Sequence, residues 1–345
     1  MVVTRTRIAP LTPARIADDP AARAELTRRG VLMGAMAAGL LTLLPHAEAG
    51  AQATPSASPT TSFPKTIRHE MGETVIPTKP TRIVAASDFN DLDYLLALGV
   101  EPVLFGFTNA WDSGSMPWQT VTADLPSFDA TGDLDLEAIA GASPDLIVAT
   151  PTILDAYPTL SEIAPTVVLG WNTAWRDGIR LIASALGLES VAETRIAEAD
   201  AQLAEVKAQL APIADRTLMV AFTYADTFYI WGDEPSGSKL FKELGLNFIG
   251  GEEPSLTSAS LEQVNLVAEA EILLSVASDP AGIAEQEASP LFQSLPAVKN
   301  GGYGVLTVIQ GRAISDSLSP ISIPWIMPQF VELMLALAAG EGKRL

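Results

Sequence analysis

The sequence predicts an α/β protein of two lobes with parallel-rich sheets, joined by a single long α-helix. Three observations predict it. Apolar runs of strand length alternate with helix-like segments through most of the chain, which is the pattern of a parallel sheet flanked by helices. A unit made of a short helix opening on Leu-Glu and an apolar strand occurs twice, at residues 136–149 and 261–277. Between the two copies, Ile196, Ala199, Leu203, Val206, Leu210 and Ile213 repeat at spacings of three and four, one apolar stripe on a long helix.

Taken in order, residues 1–49 read as an export signal. Arg28-Arg29 precede the apolar stretch from Val31 to Leu44, and Ala47-Glu48-Ala49 offers small residues for cleavage. This is the layout of a twin-arginine signal. At about 14 residues the stretch is shorter than the ~20 that span a bilayer. Residues 50–62, rich in Ala, Ser, Thr and Pro, read as a flexible linker. The first lobe is expected over 63–187. Ile67 to Val75 forms an opening hairpin or edge strand before Pro77 and Pro80, and Arg82 to Ala86 a buried strand. Asp88 or Asn90 caps a helix over Asp91–Leu98 that Gly99 stops. Strands follow at Val103–Phe105, after the first glutamate unit at Leu146–Ala149, and at Thr166–Leu169. The bridging helix occupies 188–213 and closes at Pro212 and Asp215; about 24 residues reach roughly 36 Å. The second lobe, 214–345, begins with the strand Thr217–Phe222 and the hairpin-like Thr227–Trp231. A helix over Lys239–Leu244 ends at Gly245. The second glutamate unit, a strand over Gly304–Val308 and a helix from Pro328 to Ala339 complete it.

Composition narrows the function. The chain has 345 residues and a formal net charge of −20. Residues 1–49 hold six arginines and four acids, and the remainder carries 15 basic against 37 acidic residues, or −22. Such a body repels nucleic acid and anionic lipid. The absence of cysteine excludes disulfides, thiolate metal sites, a cysteine nucleophile and a lipidated N-terminal cysteine. Only His46 and His69 occur, too few for a bare zinc or manganese site or for a chelatase-like enzyme. No G-x-S-x-G is present, and Gly301-Gly302-Tyr303-Gly304 precedes a strand where a phosphate cradle needs a helix. No catalytic residue, resident metal or cofactor is expected.

Ligands of open α/β sheets bind beyond the carboxyl ends of strands. The candidates there are Trp111, Trp171, Trp175 with Arg176, Tyr224, Trp231 and Arg312. The aromatics offer flat apolar area with a polar handle, and the arginines can pair with ligand oxygens. Trp325, between Pro324 and Pro328, reads as packing.

Pro80-Thr81-Arg82-Ile83-Val84, Asp91 to Val100, Leu136-Glu137 through Pro144-Asp145-Leu146-Ile147, and Leu240 to Leu246 together resemble one family over residues 65–340. It is that of the substrate-binding proteins of ABC importers for ferric siderophores, cobalamin and heme. The resemblance implies two Rossmann-like lobes on one rigid helix and a chelate in the cleft between them. It implies that Glu137 and Glu262 dock onto arginines of the two subunits of a membrane permease dimer. Together with the absence of cysteine and of any later stretch long enough to span a bilayer, it points to a periplasmic, soluble, monomeric protein without a lipid anchor. Its ligand is a ferric siderophore, iron entering only as part of the chelate; cobalamin and heme are the alternatives. With few arginines near the strand ends of an acidic protein, a neutral or mildly charged chelate of the hydroxamate or mixed type is expected.

Overall fold

The computed structural model describes residues 62–344 apart from 109–115, 121–123, 171–172 and 225. The expected signal and linker, residues 1–49 and most of 50–62, lie outside the described residues. All described residues belong to one compact unit, Pro59–Leu345. It opens with the antiparallel hairpin β1 (Lys65–His69) and β2 (Gly72–Ile76).

The first sheet and its helices follow: β3 (Ile83–Ala85), α1 (Asn90–Ala97), β4 (Leu104–Phe107), β5 (Ser127–Asp129), α2 (Leu136–Gly141), β6 (Leu146–Ala149), α3 (Tyr157–Ile163), β7 (Thr166–Val168) and α4 (Trp175–Leu186). Its order is β5-β4-β3-β6-β7, with every neighbouring pair parallel. The helix α5 (Glu189–Leu210) comes next. The second half contains β8 (Thr217–Tyr224), β9 (Thr227–Trp231), α6 (Ser236–Glu243), β10 (Asn247–Phe248), β11 (Leu256–Ala259), β12 (Ile272–Ala277), α7 (Pro280–Ala288), α8 (Pro290–Gln293), α9 (Pro296–Lys299), β13 (Tyr303–Thr307), α10 (Val308–Ile314), α11 (Ile323–Ala338) and β14 (Lys343–Arg344). Its sheet runs β11-β9-β8-β12-β13-β14, with β10 beside the start of β8. Only β9 runs against its neighbours β8 and β11.

The central strands are buried on both faces and therefore read as continuous apolar runs. Leu146 to Ala149 and Ile272 to Leu274 are all buried. The stripe on α5 is buried as its spacing requires, at Ala192, Ile196, Ala199, Leu203, Val206 and Leu210. These residues join one core that takes in Leu146 and Val148 of the first sheet and Leu218, Val220 and Leu274 of the second. The helix is about 33 Å long and packs on α4 at one end and α11 at the other.

Several local expectations change. Neither Asp88 nor Asn90 caps α1; Phe89 holds the cap position and no side chain caps it. Gly99 does end the helix, with φ +74, a conformation that glycine adopts without a Cβ penalty. The second copy of the repeat is a 3-10 segment, Leu261–Val267, where the first is an α-helix. The last helix starts at Ile323, five residues before Pro328. Pro328 lies on the exposed side of that helix, where the carbonyl that loses its backbone partner faces solvent-accessible surface.

Candidate functional site

In the first sheet β3 has β4 on one side and β6 on the other, so the chain switches direction between β3 and β6. In the second, the corresponding point lies between β8 and β12. Such switch points leave a crevice at the carboxyl ends of the strands. The segments that leave those ends carry the chemistry described next.

After β3 the chain runs Ala86-Ser87-Asp88-Phe89 into α1. Ser87 donates from its backbone N at 2.8 Å and from Oγ at 2.7 Å to the carboxylate of Asp91. This folds the segment back on its own helix. Asp93, two residues on, accepts from Trp118 Nε1 at 2.8 Å, Gln119 Nε2 at 2.6 Å and Ser319 Oγ at 3.0 Å. Both carboxyls are fully buried, and burial pushes each up to about 7 against the hydrogen bonds it accepts. Ser319 belongs to the second half of the chain, so Asp93 ties the first helix to the segment before α11.

Arg312 makes the second tie. It lies on α10, directly after β13, and only 5% of its surface is exposed. Its Nη2 donates at 3.3 Å to the backbone oxygen of Asp88 and at 3.4 Å to Asp88 Oδ1. Its guanidinium lies 4.2 Å from the centre of the Phe89 ring. Thr108 N, after β4, donates to the other Asp88 oxygen at 3.2 Å. Nε and Nη1 of Arg312 have no hydrogen-bond partner among the described residues. A guanidinium buried with two donors unmatched costs free energy, which a ligand oxygen can recover.

Aromatic area lies at the end of β8. Strand alternation puts Phe222 and Tyr224 on the face of Leu218 and Val220, which belong to the core shared with α10. Tyr229 of β9 stands opposite Phe222, with ring centres 5.5 Å apart. All three rings are half-buried. Sequence reading singled out Tyr224 alone; the cross-strand partners needed the hairpin register.

The other expected ligand residues are placed differently. Trp175 and Arg176 are not in a loop: they form the first turn of α4. No capping side chain marks that start, so the sequence carries no boundary signal there. Trp175 is buried in the main core. Arg176 lies 4.3 Å from its ring centre and pairs with Asp200 of α5 and Glu243 of α6. Trp231 is buried and stacks on Phe241, with centres 6.3 Å apart. Trp111 and Trp171 lie outside the described residues. Trp325, half-buried, packs at 5.1 Å against Trp118. Asp88, Phe89, Asp91 and Asp93 escaped notice because they read as an ordinary helix start. Arg312 was legible as a position but not as part of a helix. The signal for that helix was the Thr307-x-x-Gln310 capping box.

Glu137 and Glu262 are both exposed, each in the first turn after a cap residue, Asp135 and Ser260. The preceding strands, β5 and β11, both run in the direction of the central strands of their sheets. Each glutamate therefore follows the carboxyl edge of its own sheet.

A hollow of about 270 Å³ opens at the opposite edge of the second sheet, among Arg216, Glu269, Glu271 and Asn300. The Arg216–Glu271 pair at 2.6 Å fills the polar needs of that wall. It has none of the unmatched donors found at Arg312. Among the described residues no group of three or more His, Cys, Asp or Glu is arranged to hold a metal ion, and no helix is long and apolar enough to cross a membrane.

The periplasmic binding protein family matches the chain over residues 73–303. The Fe(3+)-citrate-binding protein YfmC of Bacillus subtilis (strain 168) is 28% identical over 247 residues, 69% of this chain and 76% of that one. The ferric-anguibactin-binding protein FatB of Vibrio anguillarum is 26% identical over 259 residues, 69% of this chain and 78% of that one. The crystal structure of PiaA from Streptococcus pneumoniae TIGR4 in complex with ferrichrome superposes with a TM-score of 0.67 at 25% identity, covering 80% of this chain and 99% of that one.

Proposed function

We infer that the chain, which belongs to the periplasmic binding protein family, captures a ferric siderophore between the carboxyl edges of its two sheets and delivers it to an ABC permease. It is a binding protein and not an enzyme. The observation that carries the reading is Arg312: a buried guanidinium at the meeting of both halves, with two donors unmatched. Relatives that bind ferric citrate, ferric anguibactin and ferrichrome support the same ligand class.

On this reading the chelate lies against Phe89 and the Phe222, Tyr224 and Tyr229 rings, which offer half-buried apolar area. Arg312 Nε and Nη1 donate to oxygens around the iron, and iron enters only inside the chelate. The core shared by both sheets through α5 makes closure small, because separating the halves would expose it. Glu137 and Glu262 meet basic residues on the two subunits of the permease dimer, fixing orientation and speeding encounter. The protein works as a monomer. The Arg28-Arg29 segment directs twin-arginine export, and the mature chain acts in the periplasm without a lipid anchor.

Titration of tryptophan fluorescence with ferric chelates tests the ligand. Saturable quenching at micromolar concentration or below is expected for at least one ferric siderophore. No quenching by ferrichrome, ferrioxamine B, ferric citrate or ferric enterobactin would defeat the reading.

A further inference from the structure

The acid that faces Arg312 is Asp88. Asp88 is 2% exposed, and both of its carboxylate oxygens are engaged, Oδ1 with Arg312 Nη2 and Oδ2 with Thr108 N. The positive charge of Arg312 is therefore matched inside the protein before any ligand arrives. Several of the other described cations are already paired. Arg176 is held by Asp200 and Glu243, Lys65 by Glu189, and Arg216 pairs with Glu271 at the far edge of the second sheet. The segments 109–115, 121–123, 171–172 and 225, which lie outside the described residues, contain no Lys or Arg. Asp91 and Asp93 lie fully buried behind Asp88 and add only negative charge when they ionise.

Burying a multiply charged anion with no unpaired cation buried beside it is costly, and contacts must then offset that cost. A neutral chelate carries no such cost. It can still accept hydrogen bonds from Arg312 Nε and Nη1, because those donors are free of Asp88.

We propose that Asp88 is the charge-selecting residue of the crevice: by matching Arg312 it admits ferric chelates of net charge near zero, of the hydroxamate or mixed type, and disfavours strongly anionic ones. The proposal rests on the reading of the crevice as a ferric-chelate site.

Dissociation constants of the full-length protein for ferrichrome, a neutral tris-hydroxamate, and ferric enterobactin, a tris-catecholate trianion, test it by fluorescence quenching. The wild type should bind ferrichrome at least about tenfold more tightly. Asp88→Asn removes the acid that accepts from Arg312, leaving only the longer-range pull of Asp93 and Asp316 on its charge, and should move the ratio of the two constants toward the trianion by about tenfold or more, the size expected for a close charge pair. Equal or tighter wild-type binding of the trianion overturns the proposal, whether or not the variant folds. So does an unmoved ratio in an Asp88→Asn protein with a cooperative melting transition. A wild type that binds neither chelate, nor any other ferric siderophore, overturns the ferric-chelate reading itself; one that binds both and favours the trianion overturns the charge selection alone.

Discussion

Asp145 and Glu271 perform one task at two places in the chain. The Asp145 carboxylate accepts from Thr81 N at 3.0 and 2.9 Å and from Arg82 N at 2.8 Å, pinning the start of β3 beside the start of β6. Glu271 accepts from Thr217 N at 3.1 Å and from Arg216 at 2.6 Å, pinning the start of β8 beside the start of β12. In sequence the second copy lacks the Pro-Asp step, and the equivalence shows only once the strands pair: Asp145 precedes Leu146, which lies opposite Ile83, as Glu271 precedes Ile272, which lies opposite Leu218. The buried acids were equally hidden, since Asp91 and Asp93 have the spacing of ordinary first-turn helix acids. Their surroundings make them titrate late. Asp91 is raised from an ordinary 3.8 to about 7 by burial, with the nearby Asp88 charge adding to the shift and the Ser87 hydrogen bonds opposing it. A raised folded-state value means that the folded form holds the proton more tightly. The resulting stability is complete below about pH 4 and is lost as pH rises through about 7. Asp91→Asn keeps the shape and can still bond both Ser87 groups. Between about pH 4 and 7 the melting temperature of the wild type should fall relative to that of Asp91→Asn. Parallel profiles would contradict the account of this carboxyl.

At the scale of elements, α5 was the most legible part of the molecule. Its stripe keeps a helical period for six positions, and every one of them is buried. Glycine ended α1 and α6 where expected, with Gly99 at φ +74 and Gly245 at φ +80. The start of α4 was illegible, so Trp175 and Arg176 passed for loop residues. In the folded chain Arg176 fastens three helices, α4 through its own backbone, α5 through Asp200 and α6 through Glu243. Its two partners are more than a third exposed, and solvent screens the pairs. Arg176→Gln should therefore cost only about 0.5–1 kcal/mol in chemical denaturation. Because its fork is already occupied, chelate affinity should change by less than about threefold, within 0.7 kcal/mol. A tenfold loss of affinity would return Arg176 to the ligand site.

Across the whole molecule, each half builds a parallel core of three strands, β3-β6-β7 in one and β8-β12-β13 in the other, with a glutamate segment before the middle strand. The repeated Leu-Glu unit was the visible trace of that correspondence. The junction was not visible, because Asp88 and Arg312 are 224 positions apart and meet only when both sheets are in place. Glu137 and Glu262 stand exposed after equivalent strand ends. In reconstituted vesicles with the cognate permease, Glu137→Ala combined with Glu262→Ala should lower uptake by at least about tenfold, the loss expected when close charge pairs at an interface are removed. Ligand affinity should stay the same; weaker chelate binding in that variant would contradict the docking role. The central claim is capture of an intact ferric chelate, and radiolabelled iron in ferrichrome tests it most directly. Passed through a gel-filtration column with the purified protein, the label should co-elute at one iron per chain and be displaced by excess unlabelled ferrichrome. Iron that stays with the small molecules, for ferrichrome and for every other ferric siderophore tried, would contradict the account.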